Sequence, residues 1–218
     1  MPASCSKCQH RGEPVKFSYE TYHADLYSSK SYKRNLTTDP QMKWILARVA
    51  IEPKDVVIDL GCGVGDYTRE LRHLTEQVAG YDRDVVAAKR KFPGVAFFEH
   101  NLASPLPVPD SSVDKIISIN VIEHLVDWDF FLKDCLRVLR PGGAIALSTA
   151  NREFFLHGLH FDPTHYHEWT LDQFVKLTEV YFRTIAARKD CAMFNYYPLN
   201  QVLRYFLKPD LTWIGRKA

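Results

Sequence analysis

Apolar residues gather in short runs along this chain, separated by polar punctuation. Such runs occur at 55–60, 77–82, 95–98, 115–119, 144–148, 182–188 and 211–216, and each reads as a strand. The first, Val56-Val57-Ile58-Asp59-Leu60, is β-branched and lacks alternation, as a strand buried on both faces does. Between the runs the apolar spacing changes to the helical period, at 42–49, 66–75, 84–91 and about 128–139. Asp39-Pro40 opens the first of these helices, and Thr170-Leu-Asp-Gln173 opens a later one with capping-box spacing. Strands alternating with helices predict an α/β fold, a doubly wound, mostly parallel sheet covered on both faces.

The first strand runs into Gly61-Cys-Gly63-Val-Gly65 and then Asp66, where a helix begins. Glycines at alternate positions let the backbone take positive φ and let a ligand lie against it. The spacing is G-x-G-x-G; a dinucleotide fingerprint would need its third glycine at 66. Carboxylates at Asp59 and Asp66 flank the loop and would repel a pyrophosphate, so a neutral or cationic ligand fits better. Val78-Ala-Gly-Tyr-Asp82 ends a second strand in an acid, about 20 residues on, where a ribose hydroxyl is bound in such folds.

Asp59-Leu-Gly-Cys-Gly-Val-Gly65 resembles motif I of the class I S-adenosylmethionine (SAM) methyltransferases. The likeness continues through Asp82, through Asp110-Ser-Ser-Val-Asp114-Lys-Ile-Ile-Ser-Ile-Asn120, and through Leu136-Arg-Val-Leu-Arg-Pro141-Gly142-Gly143 with the strand that follows. It covers roughly residues 45 to 150, in order. It implies a seven-strand Rossmann-like sheet whose last strand runs antiparallel, SAM as cofactor, and a cofactor site built from Asp59, Gly61, Gly63, Gly65, Asp82, Arg83, Asn101, Leu102 and Asn120. Asp82 would take the ribose hydroxyls, Asn101 the adenine amine, and Asn120 would wall the cofactor after the fourth strand.

Asn120-Val-Ile-Glu123-His124 follows the fourth strand, and on a helical turn positions 120, 123 and 124 share a face. Many small-molecule methyltransferases of this class carry a similar Glu-His pair. In the ubiquinone-pathway O-methyltransferases and the small-RNA 3′-terminal methyltransferases, a Glu three residues earlier and a later histidine complete a divalent-cation site. Here Asn120 replaces that Glu, which removes an anionic ligand that hard cations favour, so no metal is expected. Asp162-Pro-Thr-His165-Tyr-His167-Glu-Trp-Thr170 resembles a stretch of the RNA group, with His165 on its histidine. His124 and His165 are the expected general bases and Glu123 their partner, histidine titrating near the working range.

The expected activity is methyl transfer to a small molecule by in-line displacement. Methylation of RNA (2′-O type) or protein, or SAM binding without catalysis, are the alternatives. Tyr22, Tyr32, residues 160–167 and 194–197 are expected to face the acceptor. The tyrosine-rich segment ahead of residue 40 is read as a tail and lid, aromatic faces attracting the sulfonium, and 41–218 as the methyltransferase domain.

The chain has 218 residues, 46% hydrophobic, with a net charge of +2. That is enough for one substantial core, and too little charge to argue for a nucleic-acid surface. No apolar stretch approaches bilayer length and no signal-peptide pattern opens the chain, so a soluble cytoplasmic protein with no membrane partner is expected. Five dispersed cysteines do not suggest a disulfide framework, and Cys5-x-x-Cys8 lacks a second pair to close a zinc site.

Overall fold

The computed structural model describes residues 39–154, 162, 164–190 and 210–218. Cys5, Cys8, the N-terminal tyrosines, His157, His160 and residues 194–197 lie outside the described residues. The apolar runs become β1 (Val57–Leu60), β2 (Val78–Asp82), β3 (Ala96–Glu99), β4 (Val113–Ile119), β5 (Leu139–Ala150), β6 (Arg183–Asp190) and β7 (Asp210–Arg216). They form a seven-stranded sheet in the order β3-β2-β1-β4-β5-β7-β6. β7 pairs antiparallel with both β5 and β6, and the other pairings are parallel. The doubly wound sheet with an antiparallel last strand is therefore what the molecule adopts.

Successive residues of the central strands enter different layers, and this explains the continuous apolar runs. Ile58, Ile116, Ile145 and Trp213 pack on one side with Phe131, Leu132 and Cys135 of α4 (Trp128–Val138) and Phe174 of α5 (Leu171–Thr178). Val57, Ile117, Ala146 and Ile214 pack on the other with Met42, Ile45 and Val49 of α1 (Pro40–Val49) and with Tyr67 and Leu71 of α2 (Asp66–Leu71). The remaining helix, α3 (Val86–Lys91), covers the β3 edge through Ala88 and Phe97.

Helix starts follow the capping residues. Asp39 Oδ1 accepts from the amides of Gln41 (2.9 Å) and Met42 (3.3 Å), with Pro40 in the first helical position. Thr170 and Gln173 form a complete capping box. Asp84 Oδ1 accepts from the Val86 amide (2.9 Å) in a turn ahead of α3, which starts two residues later than the pattern suggests. β5 is longer than expected because Pro141-Gly142-Gly143 stays in the sheet. Gly142 takes φ +77°, its amide donates to the Lys217 carbonyl (3.0 Å), and the Lys217 amide donates to Gly143 (2.9 Å).

Strand order reverses between β1 and β4, the switch point where ligands sit in open α/β sheets. β1, β2, β4 and β5 all end on that edge. Because β6 is antiparallel to β7, β6 ends there and β7 begins there, with Asp190 opposite Asp210.

Candidate functional site

The loop from β1 to α2 is shaped by three positive-φ glycines, Gly61 (75°), Gly63 (53°) and Gly65 (81°). Two are also closely covered. A Cβ on Gly61 would fall 2.2 Å from Val121 Cγ2, and one on Gly65 would fall 2.5 Å from Phe97 Cζ. The loop is tied to the end of β2. Gly61 and Cys62 amides donate to the Tyr81 carbonyl (2.7 and 3.1 Å), and the Gly63 amide donates to Asp82 Oδ2 (2.8 Å). Asp82 Oδ1 accepts from the Asp84 amide (3.2 Å). Burial pushes the Asp82 carboxyl up, against the pull of the Gly63, Asp84 and Arg83 amides.

Asp59 is buried and accepts from Thr68 Oγ1 (2.6 Å). Asp66 is buried too, but Lys91 Nζ sits 2.6 Å from it, so its charge is matched. Of the two acids flanking the loop, Asp66 is thus compensated, a pairing that the loop's own sequence did not reveal. Burial, with Asp59 and Asp82 nearby, pushes the Cys62 thiol far up and keeps it protonated. Asn101 is exposed, and its Oδ1 accepts from the Ala103 amide (3.0 Å) in a local turn beside buried Leu102.

Past β4 the chain makes a 3₁₀ turn, Ile122–His124. Asn120 is not on it. It has φ +54°, and Ser148 Oγ donates to its Oδ1 (2.6 Å) while its amide donates back to Ser148. The shared helical face of 120, 123 and 124 is therefore corrected: the left-handed residue and its tie to β5 separate Asn120 from the other two. Asn120 remains at the end of β4.

Glu123 and His124 do meet His165. One ligand-type atom from each lies within 4.8 Å of the others, and the two imidazoles stand edge to face with centroids 4.8 Å apart. The 162–170 segment is held on the turn by the Tyr166 and His167 amides, which donate to the Glu123 carbonyl (2.8 and 3.3 Å). Glu123 is 1% exposed, and its Oε2 has no hydrogen-bond partner among the described residues. Burial pushes its carboxyl up to about 8; Asp210 adds to this, and nearby backbone amides and the Thr149 hydroxyl oppose it without giving Oε2 or Thr149 Oγ1 a well-formed bond.

Residues 58–147 match the family model described as a methyltransferase domain. The chain is 38% identical over 128 residues to a protein of Mycolicibacterium smegmatis named a probable S-adenosylmethionine-dependent methyltransferase, covering 56% of this chain and 49% of that one. It is 28% identical over 163 residues to the ubiquinone biosynthesis O-methyltransferase of Rhizobium rhizogenes, covering 69% of this chain and 58% of that one. An S-adenosylmethionine-dependent methyltransferase from Mesorhizobium loti has the same fold, with a TM-score of 0.67 at 18% identity over 84% of this chain and all (100%) of that one. The match to a methyltransferase domain and the fold shared with SAM-dependent methyltransferases agree on what residues 58–147 resemble. It spans about half the length of the first relatives it matches, 49% and 46%.

The residues of the methyltransferase domain fit SAM, the cofactor that family and fold imply. Asp82 stands at the end of β2, where an acid would reach a ribose, and its carboxylate is fixed by the Gly63 and Asp84 amides, with the Arg83 amide also nearby. Val121 over Gly61 and Phe97 over Gly65 leave no room for a side chain at either position, which holds the loop to its positive-φ glycines. Arg83 is exposed next to Asp82. Sequence reasoning gave Asp162 and Thr164 only as part of a stretch facing the acceptor, and missed Val121, Ser148 and Glu168. The last had a visible signal, since His165-x-x-Glu168 is a spacing that lets a carboxylate reach the ring.

Proposed function

We propose that this chain methylates a small-molecule acceptor whose reacting atom carries a proton. The observation that carries the reading is the meeting of Glu123, His124 and His165 on a turn whose Val121 packs against Gly61 of the glycine loop. SAM, when bound, supplies an electrophilic methyl on a sulfonium. Asp59, Asp82, Asn101, Leu102 and the glycine loop would orient it, and alignment of donor and acceptor gives much of the acceleration. The imidazole of His165 or His124 would take the proton that the acceptor loses on methylation, with S-adenosylhomocysteine as the leaving group. Glu123, with a carboxyl that keeps its proton up to about pH 8, acts beside them as a hydrogen-bond donor to the acceptor. The likeness to an enzyme named for ubiquinone biosynthesis supports a small acceptor.

The same three side chains offer two imidazole nitrogens and one carboxylate, a set that also suits a divalent cation. A methyl-donor assay with labelled SAM, run on pooled metabolites and on pooled small RNA, tests the proposal. Label is expected in the metabolite pool and to be insensitive to EDTA. Label only in RNA, or none in either pool with SAM still bound, overturns it; activity lost to EDTA and restored by Mn²⁺ replaces the base with a metal.

A further inference from the structure

The partners of the two imidazoles determine which nitrogen of each carries hydrogen, and that assigns a role to residues not yet placed. His165 Nδ1 lies 2.8 Å from Glu168 Oε1. A carboxylate only accepts, so Nδ1 is the N–H and Nε2 holds the lone pair. His124 Nδ1 lies 3.2 Å from the Thr164 carbonyl oxygen and 3.0 Å from Thr164 Oγ1. That hydroxyl has one hydrogen, which goes to Asp162 Oδ1 at 2.6 Å, so towards His124 it can only accept. The carbonyl can only accept as well. His124 Nδ1 is therefore also the N–H, and its Nε2 also holds the lone pair.

We infer that Glu168 and the Asp162–Thr164 pair are positioning residues that hold His165 and His124 in the Nδ1–H form. This presents both ε nitrogens as bases in the same site. The geometry is that of a carboxylate orienting a general-base imidazole, here twice, on one short segment. Asp162 is anchored for the task. Its Oδ1 takes the Thr164 amide (2.8 Å) as well as the hydroxyl, and its carboxyl is held below the usual range by those bonds and by the facing histidines, against the opposing effect of burial. Its other oxygen is 3.8 Å from His165 Nε2, too far for a hydrogen bond that would reverse the assignment.

The inference rests on the proposed base role, but its test does not. ¹⁵N–¹H correlation of histidine-labelled protein in the presence of S-adenosylhomocysteine reads the tautomer directly, with His124→Ala and His165→Ala locating the two rings. Both are expected as Nδ1–H. Glu168→Ala should release His165 to a mixture of tautomers, and Glu168→Gln, whose amide oxygen still accepts, should keep it. With an acceptor from the metabolite pool, Glu168→Ala is expected to lower kcat about 10- to 100-fold at unchanged S-adenosylhomocysteine affinity, with Glu168→Gln between it and the parent. An Nε2–H signal at His165 in the unmodified protein, or an Nδ1–H form untouched by Glu168→Ala, overturns the inference. Nδ1–H signals together with full turnover by His165→Ala would leave the tautomers standing and retire the base role instead.

Discussion

The two halves of the ligand edge are built in opposite ways. On the β1–β2–β3 side, main chain does most of the shaping. Three left-handed glycines and the amides that grip Asp82 and Tyr81 come from residues 59 to 84, close together in sequence. On the β4–β5 side, side chains do it, and they arrive from distant segments: His124 meets Thr164 across 40 residues and Asn120 meets Ser148 across 28. A main-chain surface recognises what every member of a cofactor-sharing family has in common. A side-chain surface can change one residue at a time, so on the proposed function acceptor choice belongs there.

That division is open to direct attack. The largest expected effect is on rate alone: His165→Ala should slow turnover on the order of 10²–10⁴-fold with SAM affinity within a factor of two, read by calorimetry and single-turnover kinetics. Equal losses of rate and SAM affinity would mean that the two halves are not separate.

Glu123→Gln probes the cost of the acceptor side. A carboxyl raised to about 8 from 4.5 binds more protons folded than unfolded, so wild-type stability falls as pH rises between those values and levels off above them. The variant does not titrate. Its advantage in urea denaturation should be absent near pH 4, grow through pH 5–8 and reach a few kcal/mol. An advantage that does not grow with pH would show that Glu123 is ionised in the fold.

Asp82→Ala addresses the other half. Two ribose hydroxyls lose a charged acceptor and the glycine loop loses a tether, so SAM affinity should drop by roughly 1.5–3 kcal/mol while kcat at saturating SAM holds. Unchanged affinity in calorimetry would remove Asp82 from the ribose. Gly61→Ala is the smallest in scale: φ +75° alone costs roughly 1–2 kcal/mol for a residue with a Cβ, seen as a lower Tm, and Val121 must also move. Since Val121 leads into Glu123, this variant is also expected to disturb the acceptor side. A Tm shift with no loss of turnover would show that the halves are insulated from each other there.

The same contrast explains what could be read from the chain before its structure. The glycine loop and its tie to Asp82 form among neighbours in sequence, so their spacing made that loop legible. The sheet was legible because residues such as Val57 and Ile58 are both apolar and enter opposite layers. Asn120 was misread because a helical turn was assumed, whereas a Ser148 hydroxyl on another strand pulls it into the left-handed region. Lys91 neutralises Asp66 from the far end of a different helix, which no loop motif announces. His165 was found through the 162–170 stretch, while Glu168 and Thr164 had meaning only once the rings they hold had a place.

β7 enters the sheet against the direction of its neighbours. The connection from β6 to β7 thus leaves from and returns to the ligand edge, where Asp190 faces Asp210. In engineering terms these are two attachment points on one edge, and Asp210 stands near enough to Glu123 to raise its carboxyl. On the proposed function, exchanging the chain between those two points tests whether the acceptor can be changed while the cofactor is kept.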